Sequence, residues 1–204
     1  MDARQAARTL EVIRTLMERT CQYQLLTARA SLVAGSLAGA GALAFFFLNP
    51  NNPWHFGLVW LGVFLGSVAA TLVGTVLRGR ERGEQVWSRQ ARAVVLALAP
   101  SLFAALVLTI WFFARGEGEY LRLPGVWMLC YGQGALATSA YAPWPIRWLG
   151  IAVLPLGCLT LFLGPDLSVL MMGLVFGLGH IGLGTALLIV ERRQASLRLH
   201  RSVA

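Results

Sequence analysis

His180 stands near the middle of an uncharged run from Leu167 to Val190, flanked within about one helical turn by Gly177 and Gly184. An imidazole in such a place has three chemical uses: it can bind haem iron, serve as a general base, or offer a polar contact along a transport path. Beside these stands a plain structural use, a hydrogen bond to a neighbouring helix, because a polar group buried in a membrane needs a partner. Gln133, Tyr131 and Ser139 share a second Gly-rich run and complete the candidate polar site with His180. Tyr131 and Gln133 lie two residues apart, so on a helix they point apart and do not make one polar face. A bis-histidine haem needs a second deep histidine, whereas His55 falls at the end of a span and His200 in the tail. Cys21, Cys130 and Cys158 have no metal-ligand spacing, so no metal site, disulfide or cofactor is expected.

The elements that must position these residues are transmembrane helices. The chain has 204 residues, 57% of them hydrophobic and 13% charged, against roughly 25% charged in soluble domains. At about 1.5 Å per residue, an apolar run of about 20 residues crosses a hydrocarbon core of about 30 Å. Six runs meet or approach that length, at about 31–48, 54–77, 93–114, 123–142, 148–164 and 167–190. The fold expected is therefore all-α, a six-transmembrane-helix bundle forming one integral membrane domain over 1–204. Asn49-Pro50-Asn51-Asn52-Pro53 separates the first two runs, and Pro143 and Pro145 bracket the turn before the fifth. Residues 1–20 are polar and charged, unlike a signal peptide. Within them Ala6, Leu10, Ile13 and Met17 fall at helical spacing, which predicts an amphipathic cytoplasmic helix lying on headgroups or on the bundle.

Charge placement orients the bundle. The net charge is +8 and there is no lysine; all the arginines except Arg115 and Arg122 fall on one side of the spans. The positive-inside rule puts that side, with both termini, in the cytoplasm of a bacterial-type inner membrane. Trp54, Trp144 and Trp148 sit at span ends, where aromatic belts are expected. Arg78, Arg80 and Arg82, with Arg192 and Arg193 at the start of the basic tail 191–204, are placed to meet anionic lipid headgroups. Nucleic acid is excluded as the reason for the basicity, because the arginines flank membrane spans.

No Asp, Glu or Arg lies deep in any run, which removes carboxylate bases and the ionisable groups that ion-coupled carriers use. Small residues recur at close-packing spacing in Gly35/Gly39, Gly62/Gly66 and Gly173/Gly177. A fainter echo pairs Arg92 and Pro100 with Arg147 and Pro155, and Tyr131-Gly132-Gln133-Gly134 with Phe176-Gly177-Leu178-Gly179. As a true repeat it would point to a cavity between broken helices. Six spans, a Gly-rich stretch in the fourth and His180-Ile181-Gly182 in the sixth also resemble the rhomboid intramembrane proteases. That resemblance implies a serine in a Gly-x-Ser-Gly stretch paired with the sixth-span histidine. Here the stretch is Gly132-Gln133-Gly134-Ala135, without the serine, and a dyad lacking it forms no acyl-enzyme. The leading expectation is a non-enzymatic membrane protein acting through a membrane partner or a second copy. The alternatives are a small carrier or channel for a neutral or lipid-like solute, and a degenerate rhomboid-like fold.

Overall fold

Breakers and caps divide the chain into helices. The computed structural model describes residues 26–47, 52–116 and 118–203, together with Gln5. The amphipathic arm expected before residue 20 lies outside the described residues. Six α-helices follow: α1 Ala28–Phe47, α2 Pro53–Arg82, α3 Arg89–Arg115, α4 Leu123–Thr138, α5 Trp144–Leu161 and α6 Pro165–Val203. A 3-10 turn, Glu119–Arg122, leads directly into α4. The Asn52 side chain accepts a hydrogen bond from the Trp54 amide, with Pro53 in the first turn of α2. Gly83 ends α2 in the left-handed region at φ 64°, where a side chain would be strained. Ser88 caps α3 by accepting from the Ala91 amide.

Five of these helices, all but α4, are long and apolar enough to cross a membrane. The fourth run, expected over 123–142, is helical only to Thr138. The Ser139 hydroxyl donates to the Leu136 carbonyl, residues 139–142 form a turn, and Pro143 stops any continuation. With 16 residues, α4 by itself reaches only about 24 Å. The other bounds shift too. α5 begins at Trp144, and α6 runs on through the basic tail to Val203 because nothing after Val190 breaks a helix.

Two three-helix groups make up the bundle. α1 lies along α6 and holds α2 on its other side; α4 lies along α5 and holds α3. α6 joins the groups through contacts with α5 and α4. In lipid, helices gain little by burying apolar surface, so close backbone approach decides such pairings. A methyl group on Gly35 would sit 2.6 Å from the Gly177 carbonyl oxygen, and one on Gly184 would sit 2.9 Å from the Ala28 carbonyl. On the other side of the molecule, a methyl on Gly150 would sit 2.9 Å from the Gly132 carbonyl and one on Gly125 would sit 3.1 Å from that of Gly157. Those four glycines are paired seven residues apart on each helix, a spacing that keeps them on one face.

The outer helices are different. α3 buries only Ala91 and Ala105, and α2 only Phe56, Trp60, Thr75 and Gly79. Many of their apolar side chains, among them Leu61, Leu72, Leu96 and Phe103, face outward, as lipid-facing residues do, while Val63, Phe112 and Phe113 pack against the core. Pro100 and Pro155 lie inside α3 and α5, and both helices run unbroken past them with the prolines exposed. An aromatic cluster fills one end of the bundle, with Phe56 edge-on to Phe45 at 5.8 Å and 5.5 Å from Tyr120.

At the opposite end Arg78 ties three segments together. Its guanidinium donates to the Leu26 carbonyl just before α1, at 2.9 Å, and to the Glu191 carboxylate on α6. Only 14% of its side chain is exposed. Arg78 is therefore a tether inside the protein and not the headgroup contact that its position in the sequence indicates. Arg80, Arg82, Arg192 and Arg193 are exposed.

Candidate functional site

The polar groups at the centre of the bundle come from α4 and α6. His180 lies at the midpoint of the 27-residue apolar span Leu167–Arg193. Its Nδ1 is 2.8 Å from the Phe176 carbonyl one turn earlier. A carbonyl oxygen only accepts, so Nδ1 carries the proton, and Nε2 of the neutral ring is left as an acceptor. The Tyr131 hydroxyl meets that Nε2 at 2.9 Å and donates to it. Three rings enclose the bond: Tyr131 is 5.3 Å from both His180 and Phe176, and Phe176 is stacked 6.0 Å from His180. Both imidazole nitrogens are thus engaged.

Of the four candidates read from the sequence, only His180 and Tyr131 come together. Gln133 is exposed on the far side of α4. Ser139 lies beyond the end of α4, its hydroxyl turned back on its own chain. The four do not form one site, for a helical reason: at about 100° per residue, a helix that aims Tyr131 at α6 turns Gln133 away from it.

Gly134, which stands at the serine position of the rhomboid-like stretch, faces α3. A methyl there would meet Leu98 and Ser101. Tyr131 is the α4 residue that reaches His180, and no hydroxyl occupies the position of the expected nucleophile. Among the described residues no group of three or more His, Cys, Asp or Glu side chains could hold a metal ion.

Hollows among the described residues are found elsewhere. One of about 390 Å³ lies at the aromatic end, lined by Trp54, Phe112, Phe113 and Tyr120 among others. Another, about 220 Å³, is a shallow groove between α5 and α6 beside Trp144 and Trp148. His180 lines neither. Most hydroxyls in the spans are satisfied within their own helices. Ser67, Thr71, Thr109, Thr160 and Thr185 each donate to the carbonyl one turn back. Thr109 also accepts from the Trp127 indole at 2.9 Å, which fastens α3 to α4.

Sequence inspection missed the seven-residue glycine pairs on α4 and α5, and the Arg78–Glu191 tether. The glycine signal stands in the sequence at a spacing of seven, not the four of the small-residue motif. If the Tyr131–His180 bond is structural, Tyr131→Phe will destabilise the fold by the value of one interhelical hydrogen bond, about 0.6–1.7 kcal/mol, and lower the thermal midpoint accordingly. His180→Ala should cost more, because it also leaves a void between Tyr131 and Phe176. Equal midpoints for wild type and Tyr131→Phe in one detergent would remove the bond from the account. Compared with known family models, curated proteins and solved structures, the chain matches none.

Proposed function

We propose that this chain is a multi-pass inner-membrane protein that acts through contacts with another membrane protein or a second copy, without catalysing a reaction or carrying a solute. One observation carries this reading: His180, at the midpoint of α6, is held at both nitrogens by Phe176 and Tyr131. A transport site or a general base needs a free lone pair facing a space that a solute can enter.

The same proposal takes α4 as a sixth crossing. With the 3-10 turn leading into it, α4 reaches about 30 Å, and it lies between two helices that each span. An even number of crossings places both termini on the arginine-rich side, the cytoplasmic face. The amphipathic arm proposed for residues 1–20 is then cytoplasmic, on the side that carries Arg80, Arg82, Arg192 and Arg193. Cysteine labelling from outside intact cells should modify a cysteine placed at Gly118 and spare one placed at Gly83; the reverse pattern inverts the topology.

Purification of the full chain from its own membranes in mild detergent tests the function. The expected result is a complex of fixed stoichiometry, with a partner or with itself, altered by deletion of residues 1–20. A monomer with no companion, stabilised instead by a small solute, overturns the proposal. Unchanged partners and oligomeric state after the deletion would take the arm out of it.

A further inference from the structure

Gln133 is a carboxamide left exposed within α4. It belongs to the middle of the membrane, because Tyr131, two residues earlier, reaches His180 at the midpoint of α6. Its side chain is exposed between the contacts that α4 makes with α3 through Gly134 and with α5 through Gly132. The span hydroxyls named above fold back on their own helices, whereas the Gln133 carboxamide makes no hydrogen bond among the described residues. An amide facing hydrocarbon without a partner is costly. The surface around it is low: Ala137, one turn on, is exposed, and Cys130, one turn back, is half-buried. Another helix can therefore come close to the α4 backbone at this depth.

We infer that this face of α4 binds the same face of a second copy, with the two Gln133 carboxamides hydrogen-bonded to each other. A carboxamide carries both donors and an acceptor, so it complements itself. Copies inserted in the same orientation form a closed dimer only about an axis along the membrane normal. That axis sets the two α4 helices parallel and brings each residue opposite its own counterpart at equal depth. No other group in hydrocarbon is guaranteed to lie at that depth. The inference rests on the contact-making reading above and names the partner as a second copy of this chain.

Cross-linking in native membranes tests it. In a chain with Cys21, Cys130 and Cys158 replaced by serine or alanine, a single cysteine is placed at Ala137 or, for comparison, at lipid-facing Phe103 on α3. Mild oxidation should give a disulfide dimer for Ala137→Cys and little for Phe103→Cys. Adding Gln133→Leu should reduce the Ala137→Cys dimer roughly ten-fold, since two interhelical bonds are lost, and Gln133→Asn should retain part of it. Gln133 is exposed and makes no hydrogen bond among the described residues, so the thermal midpoint of each variant as a monomer should stay near the wild-type value. Equal yields at the two positions, or no response to Gln133→Leu, overturn the inference. If wild type still purifies as a complex in that case, the contact-making function stands without this interface; if it is a companionless monomer, both fall.

Discussion

Leucine in place of Gly35 should prevent the chain from accumulating as folded protein, and alanine alone should lower its thermal midpoint. The argument is geometric. Besides the Gly177 carbonyl at 2.6 Å, a methyl at Gly35 would stand 2.8 Å from the Ile181 backbone nitrogen. Those neighbours are main-chain atoms of a helix and cannot rotate aside, so α1 and α6 must separate along their length. Overpacking that flexible side chains absorb costs about 1–3 kcal/mol; here alanine should reach that range and leucine exceed it. Gly62→Ala is the matched control. A methyl there meets nothing within 4 Å, and glycine to alanine inside a helix is favourable by roughly 0.5–1 kcal/mol. Circular dichroism melts of the three proteins in one detergent decide the matter, and a Gly35→Ala midpoint equal to that of Gly62→Ala would refute the close approach.

The second large effect is expected at Arg78. Methionine there keeps much of the stem but removes the guanidinium that joins the Leu26 carbonyl to Glu191. Losing one partner of a buried pair costs about 3–5 kcal/mol. The Glu191 side chain is 33% exposed, so water takes up part of that loss and about 1–3 kcal/mol is the expected destabilisation. Exchange of the two residues, Arg78→Glu with Glu191→Arg, should restore the ion pair and only part of the stability. A carboxylate at position 78 cannot donate to the Leu26 carbonyl, which keeps a structural consequence even when charge is conserved. Full rescue would show that the carbonyl contact contributes nothing.

Why the sequence made the helices legible and their partners much less so is visible at particular residues. Uninterrupted apolar runs and the Asn-Pro and Pro-x-Pro breaks mark where chain crosses lipid, and each run became a helix. The ends were misjudged where polarity and helicity part company. Glu191-Arg192-Arg193 marks the edge of the apolar run, yet all three residues favour helix and α6 continues. Ser139 to Ala142 is apolar enough to extend α4, but the turn ahead of Pro143 takes those residues. Pairings across the bundle were harder to see. Tyr131 and His180 lie 49 residues apart and nothing local joins them. Arg78 and Glu191 are 113 apart, and each by itself looks like a charge at a membrane edge. The opposed directions of Tyr131 and Gln133 did follow from helical period alone.

The pairing of α1 with α6 also has a consequence for how the protein is made. α1 emerges from the ribosome well before α6, the helix that fits its glycine face. At 5–20 residues per second that leaves the face bare for on the order of ten seconds. Over that interval α1 must be sheltered by lipid, by α2 or by the insertion machinery. A premature stop anywhere before Leu167 would release a nascent chain with that face permanently open, the kind of product that membrane quality-control proteases remove. Truncation from the carboxyl side should therefore be tolerated far less than its distance from α1 in the sequence implies.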